Sequence, residues 1–120
     1  MKEENVIVDK SYRFANRVVK LYKFLCGEQK EWVLSQQLLR SGTSIGANVR
    51  EAQRAQSRKD FVAKINVALK EAYESEYWLE LLRDNDYLTH DQYVSMYVDC
   101  RELTNILSQI VLTAKSRGLK

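Results

Sequence analysis

The sequence predicts an all-α protein folded as an antiparallel, up-down-up-down four-helix bundle. Three observations predict it. The 120 residues include no proline, while 45% are apolar and 29% charged, a balance that suits helices better than turn-rich sheets. Four long segments repeat their apolar groups at steps of three and four. The connections between them are short and carry helix start and stop signals, which makes antiparallel neighbours the economical arrangement. At this length the chain, residues 1–120, is read as a single domain able to bury a core without staples.

Helix 1 is expected over about residues 9–26. Tyr12, Ala15, Val18, Val19, Tyr22 and Leu25 share one helical face, and Gly27 is placed to end it in a left-handed cap. Helix 2 poses the harder question, because LLRSGTSIGANVREA, Leu38 to Ala52, holds two of the four glycines among serines and a threonine. Yet Leu38, Gly42, Ile45, Val49, Ala52 and Gln56 keep an unbroken heptad register, which a loop has no reason to do. The segment is therefore read as one continuous helix over about 30–56, roughly 40 Å long at 1.5 Å per residue. Each interior glycine costs about 1 kcal/mol against alanine, so Gly42 and Gly46 must allow a neighbouring backbone to come close. Gly42, Ile45, Gly46, Val49 and Ala52 are the expected packing residues, with Ser35 and Ser41 at the margin. Arg40 and Arg50 flank the Gly-x-x-x-Gly pattern and rule out a membrane reading of it.

Helix 3 is expected over about 58–83. Ser57 and Asp60 open it as a capping box, Phe61, Ile65, Ala68, Ala72, Leu79 and Leu82 face inward, and Asp84-Asn85-Asp86 stops it. Helix 4 is expected over about 90–117: Thr89 and Gln92 form a second box, and Tyr93, Met96, Cys100, Leu103, Leu107, Ile110 and Ala114 lead to Gly118. The end of helix 3 carries more apolar bulk than one core stripe requires. Tyr73, Tyr77, Trp78 and Leu81, with Trp32 on helix 2, either lie on the surface with wet polar atoms or form a subunit interface, where Tyr and Trp are enriched. A homo-oligomer is the expectation.

Catalytic and metal chemistry find no constellation, so no enzyme, metal or cofactor is expected. The single histidine, His90, follows the Thr89 cap, and Tyr87 stands where a bundle di-iron site would need glutamate. Phosphate-binding glycine loops and Cys-x-x-Cys are absent. Cys26 and Cys100 read as reduced core residues. Glu76 falls on the inward stripe of helix 3 and needs a donor; Arg40, Ser44, Asn48 and Glu51 on one flank of helix 2 are the expected members of that polar network, with a structural role. No segment has the length and apolarity of a membrane span or a signal peptide, and a soluble cytoplasmic protein without membrane contact is expected.

Charge offers the functional lead. Residues 1–60 carry 12 Lys/Arg against 7 Asp/Glu, and residues 61–120 carry 7 against 9. Lys10, Arg13, Arg17 and Lys20 form one helical stripe, and Arg50, Arg54 and Arg58 another. Such stripes serve solubility, or they neutralise phosphates without reading bases, with strong salt dependence. Arg13, Arg17, Lys20, Arg50, Arg54 and Arg58 are the candidate contacts.

The runs QLLRSGTSIGANVREA, QSRKDFVAKINVALKEAYESEYWLELL and YLTHDQY resemble the four-helix-bundle family of proteins encoded in intervening sequences of large-subunit ribosomal RNA. The likeness covers about residues 8–115 and is most specific from Ser44 to Glu51. Gly46 stands where many relatives carry proline, so a sharp proline bend is not expected of helix 2. The resemblance implies a homopentamer without enzymatic activity. A related branch, the accessory proteins of diversity-generating retroelements, implies nucleic acid and a nucleic-acid enzyme, a reverse transcriptase, as partners. The competing reading is a structural or protein-interaction module with no nucleic-acid role.

Overall fold

The computed structural model describes residues 2–117, with side chains from residue 5. Four helices run α1 Lys2–Gly27, α2 Val33–Gln53, α3 Arg58–Asp84 and α4 His90–Ser116. Each packs on its neighbours in sequence, α4 closes back on α1, and the diagonal pairs do not meet. The result is a four-cornered bundle with extents of 48 × 21 × 20 Å. Cross-helix partners run in opposite senses: Arg40 meets Glu74 while Glu51 meets Lys64, and Glu76 meets Thr104 while Arg83 meets Tyr93. Every neighbouring pair is antiparallel, as expected for short connections.

The heptad of α2 passes unbroken through both glycines, and Leu38, Gly42, Ile45, Val49 and Ala52 are buried together with Ser35 and Ser41. A Cβ on Gly42 would lie 2.8 Å from Cγ2 of Val18, and one on Gly46 would lie 3.4 Å from the Ser11 carbonyl oxygen. Both glycines therefore face α1; at Gly42 hydrogen in place of a side chain is what lets the two rods approach, whereas at Gly46 a methyl group would meet α1 at ordinary contact distance. On its other flank α2 meets α3 through the buried Ser41 and Ser75 hydroxyls, 2.9 Å apart.

Several boundaries differ from the sequence reading. Helix α1 begins at Lys2 rather than near residue 9, because Ile7, fully buried, extends the inward stripe. That stripe is Ile7, Ser11, Phe14, Val18 and Leu25, so α1 is turned relative to the face predicted through Tyr12. The reason is Ser11, a small polar residue that takes the inward position where α2 offers only Gly46. Gly27 is the last residue of α1 and not its left-handed cap; the positive φ of 56° belongs to Lys30. Helix α2 consequently starts at Val33 instead of near Lys30.

No Ser, Thr, Asp or Asn caps α2. The carboxylate of Glu31, only 7% exposed, accepts instead from the backbone N–H groups of Val33, Leu34 and Ser35 at 2.7–2.9 Å. Three of the four donors that a helix start leaves unpaired are satisfied by one side chain, with its negative charge at the positive end of the dipole. At the far end α2 stops at Gln53, three residues short of the expected 56, because the chain must reverse before Ser57 caps α3. The Ser57 cap forms, but the Asp60 carboxylate accepts from Gln56 N–H, one residue before the box position. The Thr89–Gln92 box is complete, and all the inward residues expected of α3 and α4 are buried.

Candidate nucleic-acid interface

Two basic stripes were expected, and the fold treats them differently. On α1 the stripe faces the carboxylates of α4. Arg17 donates to Asp99 at 2.6 Å and to the carbonyl and hydroxyl of Ser95 at 3.1 and 2.7 Å. Lys10 lies 3.1 Å from Glu102, and Arg13 is held 3.1 Å from Asp9 on its own helix. Lys20 borders a groove of about 540 Å³ between α1 and α4, opposite Asp91. Most of the positive charge on this face is thus answered within the chain, and among the described residues only Lys20 of the stripe lacks an ion pair.

The second group lies where α2 ends and α3 begins. Arg50, Arg54, Arg58 and Lys59 are all exposed, and none has a carboxylate partner among the described residues. The nearby acids are engaged elsewhere: Glu51 with Lys64 at 3.4 Å, and Asp60 with the Gln56 N–H. The guanidinium of Arg50 lies 4.9 Å above the ring of Tyr12, and that of Arg58 lies 5.4 Å from the ring of Phe61. The antiparallel topology brings the end of α4, with exposed Lys115, to the same end of the bundle. The opposite end mixes signs, with exposed Glu28, Asp84, Asp86 and Asp91 beside exposed Lys23 and Lys30, and Arg83 paired with Asp84. A modest overall charge of +3 therefore conceals a local group of cations at one end, which is where a polyanion would be attracted.

The expected polar network does not assemble as one unit. Glu76, 7% exposed, is satisfied from α4: Thr104 donates at 2.8 Å and Arg101 approaches to 3.4 Å. Arg40 instead pairs with Glu74 and lies 3.4 Å from Glu71. Ser44 bonds the Arg40 carbonyl, Asn48 bonds the Ser44 carbonyl, and Glu51 pairs with Lys64. The correction has a simple cause, since Glu76 lies on the α4 flank of α3 and α2 packs on the other flank. The Trp78 indole donates to Glu74 at 3.0 Å; this bond and Arg40 hold the Glu74 carboxyl below the usual range against the opposing effect of burial. Burial, with Glu76 nearby, pushes the Cys100 thiol up to about 12, leaving it protonated and unreactive.

The amino-acid sequence of a known family matches this chain over residues 3–109, that of the 23S rRNA-intervening sequence protein. The chain belongs to that family. A solved structure of 59% sequence identity, described as a protein of unknown function from the S23 ribosomal protein family of Bacteroides thetaiotaomicron VPI-5482, superposes with a TM-score of 0.90. The similarity covers 91% of this chain and 97% of that one. No curated protein matches the chain.

This intervening-sequence family member also exposes apolar side chains. Tyr73, Tyr77 and Trp32 are 49%, 55% and 56% exposed. Trp78 and Leu81 are half-buried, Trp78 packing edge-on against Tyr77 at 5.0 Å. The sequence reading passed over Val33, Val98 and Leu112, which are more exposed still at 72%, 58% and 59%. The available signal was their position off the inward stripes of α2 and α4. No helix among the described residues is long and apolar enough to cross a membrane.

Proposed function

We propose that this protein is a non-enzymatic, homo-oligomeric bundle that binds structured RNA or DNA through a repeated basic surface, as an accessory protein. The observation that supports the reading is the group Arg50, Arg54, Arg58 and Lys59, exposed at one end with no carboxylate partner among the described residues. In a pentamer, which the family resemblance implies, that group recurs five times and its field adds. The α1 residues Arg13 and Arg17 contribute less, because Asp9 and Asp99 already answer them. The buried reactive groups are engaged in structure: Cys100 is held protonated, Glu76 is bonded by Thr104, and Ser41 bonds Ser75 and the Leu38 carbonyl.

Binding of labelled structured RNA and duplex DNA, measured from low to physiological salt with native mass recorded in parallel, tests the proposal. Affinity should fall steeply with salt, and joint reversal of Arg50, Arg54 and Arg58 to glutamate should abolish it with the native mass unchanged. Reversing Arg13, Arg17 and Lys20 should weaken it less. Absence of binding at low salt would remove the proposal and leave the second reading, a protein-interaction module. That reading draws on the exposed Tyr73, Tyr77, Trp32 and Val33, and a native mass that drops in Tyr73→Ala/Tyr77→Ala would place those rings between subunits.

A further inference from the structure

Tyr12 is out of place for a residue of its kind. The core is filled on α1 by Ile7, Ser11, Phe14 and Val18, and Tyr12, displaced to the outside by inward Ser11, remains 53% exposed. Among the described residues, four cationic side chains lie over aromatic rings. Arg58 covers Phe61 and Arg83 covers Tyr93, rings that are 7% and 8% exposed. Arg101 lies over half-buried Tyr97 and also bonds its hydroxyl. Those three guanidiniums close over rings that the bundle already buries. Arg50 over Tyr12 is different, because ring and cation both stay largely in water.

The surroundings suit a ligand with a flat face and a negative backbone. Among the described residues Arg50 has no carboxylate partner, Arg54 follows it by one helical turn with none either, and Asp9, the acid nearest in sequence to Tyr12, is held by Arg13. Close approach of α1 and α2 at Gly46 and Ser11 fixes the spacing of the two helices beneath the pair. Aromatic rings and guanidinium planes are the groups on which unpaired bases stack, while neighbouring cations hold the phosphates. A base inside a duplex cannot present its face to them.

We infer that Tyr12 and Arg50 form a stacking seat for an unpaired base, so that the preferred nucleic acid is single-stranded or looped, with Arg54 taking an adjacent phosphate. The inference rests on the nucleic-acid reading above and narrows it. The seat is indifferent to base identity, since every base has a π-face.

The test compares a labelled single-stranded oligonucleotide with its blunt duplex of equal length, using the full-length protein. Wild type should prefer the single strand. Tyr12→Leu should lower single-strand affinity roughly tenfold, leave duplex affinity unchanged and preserve the slope of log affinity against log salt. Tyr12→Phe should restore it. Arg54→Gln should weaken both probes and reduce the salt slope by about one. Since Tyr12 is exposed, Tyr12→Leu should melt as the wild type does. Single-strand affinity unchanged in Tyr12→Leu, or an equal loss for both probes, overturns the stacking seat while the basic surface stands. If neither probe binds at low salt, the nucleic-acid reading itself fails and the seat fails with it.

Discussion

Helix α1 meets its two neighbours in opposite ways. Against α2 the seam is close: Val18 fills the space above Gly42, and the Ser11 backbone abuts Gly46. Against α4 it is ionic and open, with Arg17 on Asp99, Lys10 on Glu102, and cavities of about 120 and 540 Å³ along it. The close seam locates α1, because backbones in contact have few alternative positions. The ionic seam tolerates looseness, because half-exposed ion pairs can shift while remaining paired. One consequence is functional. Basic residues on the open seam are answered by α4, whereas Arg50 and Arg54, beside the close seam, look outward without a carboxylate partner among the described residues.

The strongest way to break the comparison is Gly42→Ala. Its new Cβ would lie 2.8 and 3.0 Å from the two methyls of Val18, a β-branched side chain with little rotamer freedom. Overpacking of this kind costs about 1–3 kcal/mol and outweighs the ~1 kcal/mol that alanine returns in a helix. Denaturant unfolding should show a net loss, and a double-mutant cycle with Val18→Ala should reveal a coupling of about 1 kcal/mol. Additive effects would mean that the seam is not tight at this point.

The second glycine predicts the reverse sign. At Gly46 the added Cβ meets the Ser11 carbonyl oxygen at 3.4 Å, an ordinary contact, so Gly46→Ala should gain up to about 1 kcal/mol from propensity alone. A clear destabilisation would show that α1 lies closer to α2 there. On the ionic seam, Arg17→Ala should cost no more than about 1 kcal/mol, since both Arg17 and Asp99 are roughly two-fifths exposed, and the difference should shrink in high salt. A larger, salt-independent loss would make that seam as structural as the other.

The smallest effect concerns pH, on the far flank of α2. Because the folded state holds Glu74 below its ordinary range, its stabilising contribution is present above the unfolded pKa. It is lost as pH falls through the lower folded value. Glu74→Gln should therefore lose a small amount of stability at neutral pH, where that contribution is present, and flatten the acid limb so that mutant and wild type converge below the normal glutamate range. An acid limb identical to wild type would assign the sensitivity to other carboxylates.

Much of this architecture was legible in the residues alone. The inward stripes of α3 and α4, the caps at Ser57 and Thr89, the stop at Asp84 and the continuity of α2 through Gly42 and Gly46 depend on periodicity and local backbone chemistry. These act within a few residues along one helix, so one helix's sequence determines them. The inward face of α1 was not legible, since Ser11 reads as a surface residue until Gly46 is placed against it. The α2 start was missed because its cap is a glutamate, Glu31, outside the usual capping set. Nor could the sequence separate the stripe answered by α4 from the arginines that have no carboxylate partner among the described residues, or assign Glu76 to Thr104 and Arg101 rather than to α2. Those pairings join residues on different helices, and only the rotation of each helix about its own axis, set by packing against its neighbours, decides which charges meet.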